Sequence, residues 1–291
     1  MTTILLTGKD GQIGWELQRS LLPLGRVIAC GRGELDLIDA EAVRRKLDEL
    51  RPDVIVNAAA YTAVDKAESE AELAHVINAA APALLADEAA RRGALLIHYS
   101  TDYVYDGRKA APYVEDDAVN PSAPTDAASW RARRGIQLSG ADHLIFRTCW
   151  VYAARGGNFL RTILRLAAER EELRVVDDQV GAPTWARLVA EATAHALKQA
   201  MQERRDGNFE SGVFHLAAAG EASWHGFASA IVAGRGGLRV KSVTQIATAE
   251  YPLPAARPAN SRLNTDRLRA RFGLELPDWE TCLRLCLEEI P

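Results

Sequence analysis

The sequence predicts an α/β fold: a doubly wound parallel sheet with a small, interleaved C-terminal lobe. Three observations carry this. Short apolar runs alternate with amphipathic helical stretches along the chain, the pattern of parallel strands joined by crossover helices. Some of those runs, such as residues 53–60, are apolar throughout, as strands are when helices cover both sheet faces. A glycine-rich turn, Thr7-Gly8-Lys9-Asp10-Gly11-Gln12-Ile13-Gly14, separates the first strand from the first helix.

That turn organises the rest. Gly8 permits a sharp turn, Gly11 lets a pyrophosphate approach the backbone, and Gly14 lets helix and strand pack closely. The helix that follows offers free N–H groups and a positive dipole end to phosphates. A strand before and a helix after make dinucleotide binding the better reading over a plain glycine loop. The expected frame is therefore Rossmann-like, with Gly8, Lys9, Gly11, Gln12, Ile13 and Gly14 at the cofactor.

Taken in order, residues 3–6 form the first strand, and Leu17, Leu21 and Leu22 mark the first helix. Residues 26–30 form the second strand. An acidic residue at its end selects NAD, and an arginine can pair with the 2′-phosphate of NADP. The turn carries Arg32 and no carboxylate directly at the strand end, which favours NADPH while leaving NADH open. Asp36 and Leu37 are placed near the adenine, with a helix N-cap as the other role for Asp36. An amphipathic helix at 40–50 is closed by Arg51-Pro52, and strand 53–60 ends in small residues that leave room for a flat cofactor beside Ala59, Ala60 and Tyr61. A long helix is expected from the 61–68 segment to about residue 91, then a strand at 94–99. Polar residues crowd its end at 100–103, the crevice edge where open α/β sheets bind ligands. The Thr101 hydroxyl can hydrogen-bond a substrate carbonyl, or Ser100 and Thr101 can cap a turn; spacing alone leaves both open.

Further on, 116–124 reads as loop, 125–138 as helix, 143–148 as strand, 158–168 as helix and 173–176 as strand. A long helix runs from 185 to about 201, a charged loop covers 203–211, a last sheet strand covers 212–216, and a helix opens at 223. Residues 243–260 read as irregular, and Arg257 and Arg262 suit a diphosphate. Short helices are expected at 266–272 and 279–289. The division expected is 1–150, mainly a dinucleotide-binding domain, and 151–291, mainly a substrate lobe with segments returning to the sheet.

An apolar share of 48% and a net charge of −4 describe a protein with a sizeable core and no basic block. Nucleic acid and anionic membranes are therefore not expected partners. No apolar run approaches membrane-spanning length and the N-terminal residues read as a strand, so a cytoplasmic protein is expected. Cys30, Cys149, Cys282 and Cys286 lack metal-ligand spacing and read as reduced core residues.

The motifs together resemble the dTDP-4-dehydrorhamnose reductase family of the extended short-chain dehydrogenase/reductase superfamily. The stretches that carry the resemblance are 8–17, 57–68, 99–107, 146–152 and 178–184, extended by 257–258 and 260–265. The resemblance implies reduction, by a nicotinamide hydride, of the C4 ketone of dTDP-4-dehydro-β-L-rhamnose, the last step of dTDP-L-rhamnose synthesis. It implies Thr101 as the hydroxyl of the catalytic triad and Asp102, Tyr103 and Trp150 lining the sugar pocket. It places Thr62 and Val64 at the nicotinamide side and adds Arg257 and Asn260 as substrate residues. Glu16 matches a weak Mg²⁺-binding position at a family dimer interface, so a homodimer is part of the expectation.

The resemblance fails in one segment. The superfamily's proton donor is a Tyr followed four residues later by a Lys, and those positions fall at Thr125 and Ser129. A Thr hydroxyl is a far weaker acid than a phenol, and losing such an acid costs about 10²–10⁴-fold. Read one base out of frame from the third base of the Ala123 codon, suitable codons for residues 123–132 spell Ala-Tyr-Gly-Arg-Ser-Lys-Leu-Ala-Gly. The Tyr then aligns with Thr125 and the Lys with Ser129. Hypothesis: the segment is a compensated frameshift, which in-frame codons incompatible with those bases, found on resequencing, would refute. The alternative is a non-catalytic, dinucleotide-binding or regulatory relative, for which cofactor binding survives and turnover is feeble.

Overall fold

The structure is a computed structural model; it describes residues 1–121 and 124–291, with the side chains of residues 124–126 outside the description. The first half alternates strand and helix: β1 (Thr3–Thr7), α1 (Gln12–Ser20), β2 (Arg26–Cys30), α2 (Ala40–Leu50), β3 (Val54–Asn57), α3 (Val64–Ala67), α4 (Ala71–His75), α5 (Ala81–Arg92), β4 (Leu95–Thr101), α6 (Pro124–Leu138) and β5 (His143–Thr148). Then follow β6 (Val151–Tyr152), α7 (Phe159–Glu169), β7 (Glu172–Val176), β8 (Val180–Gly181), β9 (Thr184–Trp185), α8 (Ala186–Asp206) and β10 (Gly212–His215). The chain closes with β11 (Ala222–Ser223), α9 (Trp224–Ala233), β12 (Ser242–Ile246), α10 (Asp266–Phe272) and α11 (Trp279–Glu288).

Six strands pair in parallel in the order β10-β5-β4-β3-β1-β2. The order reverses at β1, which opens a crevice between the β1 and β3 ends. Side chains alternate between two cores. Ile4, Leu6, Val56, Ile97 and Phe146 face α1, α8 and α10. Leu5, Ile55, Leu96 and Ile145 face α2, α5 and α6 through Leu47, Leu85 and Ile136. Burial on both faces is why the strands read as unbroken apolar runs. A third core joins α7, β7, α9 and α11 through Leu160, Leu173, Phe227 and Leu283. The C-terminal half is thus interleaved: α8, β10 and α10 return to the sheet, while the other elements build the lobe.

Four expectations need correction. The single helix expected to residue 91 is broken into α3, α4, a π-helical turn at Val76–Ala80 and α5. The turn shifts the helix just before Pro82, which cannot donate to the ladder. It also aims Asn78 at the loop after β3: the side chain accepts from Tyr61 N–H at 2.7 Å and donates to Tyr61 C=O at 2.9 Å. Strand β3 stops at Asn57, short of residue 60, because Asn57 turns its side chain to Thr7 and His98. Helix α8 runs through 203–206, expected as loop, and stops at Gly207 with φ +72°. Residues 243–246, expected as irregular, belong to β12, which forms by pairing with β7, an edge that a local reading cannot see.

Candidate active site

The glycine loop lies at the C-terminal end of β1. Thr7 Oγ1 donates to Asn57 Oδ1 at 2.7 Å, tying β1 to β3 at the crevice. Gly8 has φ +74°, and a Cβ there would lie 2.5 Å from Ala59 N. A Cβ on Gly14 would lie 2.0 Å from Gly8 O, so only glycine allows this helix–strand crossing. Helix α1 begins at an extended Gly11 with no side-chain cap and no acidic residue in its first turn. Its leading N–H groups and dipole end therefore face the loop, an arrangement that fits a pyrophosphate. Gln12 donates to Val151 C=O at 3.2 Å, joining the loop to the second half of the chain; Ile13 packs on the core.

The adenosine side differs from the expectation at one point. Glu34 folds back and accepts from Gly31 N–H at 2.7 Å, so a carboxylate does stand at the end of β2. It ion-pairs with Lys9, which lifts the Lys9 ammonium's pKa and lowers that of Glu34. Sequence reasoning missed it because the contact needs a three-residue turn. Arg32 is exposed and lies 3.5 Å from Asp36, whose other oxygen accepts from Ile38 N–H at 3.1 Å. Leu37 is buried against the α2 face.

After β3, Ala60 and Thr62 are exposed, and Ala59, Tyr61 and Val64 are half-buried. The Tyr61 hydroxyl donates to Glu70 at 2.6 Å, and that hydrogen bond raises its pKa. Asp65 beside them holds Arg257 at 3.0 Å, which brings the C-terminal segment to this edge. Arg257 Nη1 is buried without a hydrogen-bond partner among the described residues. Asn260, expected at the substrate, instead spends its amide on the protein. It donates to Lys109 C=O and Ala111 C=O and accepts from Arg262. Arg262, expected at a diphosphate, is likewise held by Glu221 at 2.8 Å.

The catalytic edge is formed by the ends of β4 and β5, where Thr101 pairs in register with Thr148. The Thr101 hydroxyl donates to Asp102 Oδ1 at 3.1 Å and accepts from Tyr103 N–H at 3.2 Å, so it does cap the short turn at 102–104. Being half-buried, it combines a capping role with access to the crevice. Two residues past Thr148, Trp150 takes φ +46°, a strained conformation for a bulky residue. Its ring stacks on Trp224 at 3.5 Å, and Trp224 meets Phe159 at 4.6 Å. A Cβ on Gly181 would strike the Trp150 ring at 2.6 Å, which explains the glycine in that motif. Gln179 completes the wall by accepting from Trp224 Nε1–H at 3.1 Å. Sequence reading missed Trp224, because it lies far away in sequence and carries no local signal. Ser129 is half-buried on α6; the side chain of Thr125 lies outside the described residues.

Behind this edge, Arg147 is fully buried and donates to the Tyr105 hydroxyl and to His215 Nε2. His215 must accept there, so its Nδ1–H donates to Asn264 C=O at 3.0 Å. Burial and the Arg147 charge lower its pKa to about 3. Glu16 ion-pairs with Arg187 at 3.4 Å, and among the described residues of this single chain no group of three His, Cys, Asp or Glu side chains could hold a metal ion, so nothing within the chain supports Mg²⁺. The four cysteines are free and buried.

The whole chain, residues 1–291, matches the family model described as the RmlD substrate binding domain. A dTDP-4-dehydrorhamnose reductase of Burkholderia thailandensis is 52% identical, covering 99% of this chain and 98% of its own. That of Escherichia coli K12 is 46% identical, covering 99% and 97%. Among solved structures, a dTDP-4-dehydrorhamnose reductase of Clostridium acetobutylicum superposes with a TM-score of 0.90 at 35% identity, covering 99% of each chain. The Bacillus anthracis enzyme, solved in complex with NADP, gives 0.89 at 32% identity, covering 99% and 100%.

Proposed function

The chain belongs to the RmlD substrate-binding-domain family, and from that premise we propose that it is an NAD(P)H-dependent dTDP-4-dehydrorhamnose reductase. It reduces the C4 ketone of dTDP-4-dehydro-β-L-rhamnose to dTDP-L-rhamnose. The observation that carries this is the gathering, on one sheet edge, of the uncapped α1 N-terminus, the half-buried Thr101 hydroxyl and the Trp150 wall. A bound nicotinamide supplies the hydride. The Gly8–Gly14 loop holds the pyrophosphate, with Arg32, Asp36 and Leu37 at the adenosine end. Thr101 hydrogen-bonds the ketone oxygen by turning its one hydroxyl proton from Asp102 to the substrate, while the Tyr103 N–H holds its oxygen in place. Trp150, Asp102 and Tyr103 line the sugar pocket, Thr62 and Val64 its nicotinamide side, and Arg257 the diphosphate end. The reading includes cytoplasmic synthesis and a homodimer, the latter tested by light scattering. It includes no bound Mg²⁺.

The proton for the new alkoxide is the weak step, since Thr125 and Ser129 stand at the family's Tyr and Lys positions. Oxidation of NADPH in the presence of dTDP-4-dehydrorhamnose tests the reading. The protein as written should turn over about 10²–10⁴-fold more slowly than its Thr125→Tyr/Ser129→Lys variant. A variant that binds NADPH and leaves this ketone untouched refutes the substrate assignment.

A further inference from the structure

Residue 31, the first after β2, is glycine, so the strand end has no side chain of its own. A Cβ built on Gly31 would lie 3.1 Å from Glu34 Oε2 and 2.2 Å from Asp10 Oδ2. Glu34 therefore fills, from three residues further on, the space that an acidic side chain at position 31 would take. The turn holds it there. Glu34 N–H and Leu35 N–H donate to Gly31 C=O at 3.1 and 3.0 Å, Gly31 N–H donates back to Glu34 Oε2 at 2.7 Å, and Leu35 is buried. Glu34 lies twenty residues beyond Gly14. That is about the interval at which a carboxylate meets the adenosine ribose in a dinucleotide fold.

The other Glu34 oxygen pairs with Lys9, whose backbone N–H donates to Cys30 C=O at 3.3 Å. Lys9 thus joins the glycine loop to the β2 end. Both side chains reach water, Lys9 being 26% and Glu34 52% exposed. An ion pair so open is weak and yields to a better anion. Arg32, also exposed, lies 3.5 Å from Asp36. Among the described residues, three carboxylates here, Asp10, Glu34 and Asp36, face two cations, Lys9 and Arg32. A ribose 2′-hydroxyl can donate to such a surface. A 2′-phosphate carries close to two negative charges and is repelled until Glu34 withdraws and Lys9 turns.

We infer that Glu34 sets the choice between NADH and NADPH. In the conformation seen here it accepts from the 2′-hydroxyl of NADH. NADPH binds by drawing Lys9 from Glu34 onto its 2′-phosphate, with Arg32 as the second cation. The inference rests on the dinucleotide reading of the glycine loop and not on turnover.

Dissociation constants for NADH and NADPH, read from nicotinamide fluorescence, test it on the protein as it stands, whatever Thr125 and Ser129 do to catalysis. Glu34→Gln keeps an acceptor for Gly31 N–H and removes the charge. It should tighten NADPH about tenfold and weaken NADH about threefold, the size expected for one charge-assisted contact. Lys9→Gln should weaken NADPH about tenfold and leave NADH within about twofold. Adenosine 2′,5′-bisphosphate and 5′-AMP, used as competitors, should repeat the Glu34→Gln shift, which places it at the adenosine end. A ratio of NADH to NADPH affinity that Glu34→Gln leaves within about twofold, or moves towards NADH, overturns the inference while dinucleotide binding stands. A native protein that binds neither dinucleotide overturns the dinucleotide reading, and the inference with it.

Discussion

Acid should unfold this protein through two histidines. His98, on β4, is buried with its Nδ1 accepting from the Asn57 amide at 3.2 Å, and burial lowers its pKa to about 4. His215 is lowered to about 3 by burial and by Arg147. Both start from an ordinary value of 6.5, which the unfolded chain regains. Between those values the unfolded state binds protons that the folded state refuses. The stability is therefore complete above pH 6.5 and falls as pH drops towards 4. Each group costs about 2 kcal/mol at pH 5, or about 4 kcal/mol together, against a total of roughly 5–15 kcal/mol for a folded protein. Urea unfolding from pH 8 to pH 5 should show a midpoint that is steady above pH 7 and drops steeply below pH 6.5. The His98→Gln/His215→Gln variant keeps a donor and an acceptor at each site, and its profile should be much flatter. A native midpoint unchanged between pH 7.5 and pH 5, or an equal fall in the double variant, would refute the argument.

The remaining predictions concern the crevice and the core. Gly14→Ala puts a methyl group 2.0 Å from Gly8 O, so it should abolish NADPH binding by calorimetry and lower the thermal midpoint; unaltered affinity would contradict the role of that crossing. Thr101→Val, made in the Thr125→Tyr/Ser129→Lys enzyme, should cut kcat about 10²-fold or more while leaving the NADPH affinity within a fewfold, as measured by fluorescence titration. Burial pushes the thiols of Cys282 and Cys286 up to about 11 and about 12, and that of Cys149 higher still. None of the three should react with a thiol reagent at pH 8 until the chain is denatured; rapid native labelling would show that the lobe core opens.

Much of the sheet could be read directly, because each of its strands carries its own evidence. β2, α2 and β5 fall at the expected residues, since burial on both faces writes an unbroken apolar run and a single buried face writes a helical period. The errors cluster where partners are remote. β12 exists only because β7 lies beside it, and the break at Val76–Ala80 serves a hydrogen bond to Tyr61 seventeen positions away. Glu34 reached the β2 end through a turn that apolar periodicity does not encode.

The linear chain alone determined the strand–glycine–helix cradle, the order of elements and the family, because those depend on residues close in sequence and on backbone freedom at Gly8 and Gly14. Tertiary structure decided what each polar side chain does: that Asn260 and Arg262 brace loops, that Trp224 backs Trp150, and that Arg147 meets Tyr105 and His215. Hydrogen bonds and ion pairs act over a few ångströms between residues far apart in the chain, so charge and burial at a site emerge only once the fold has brought them together.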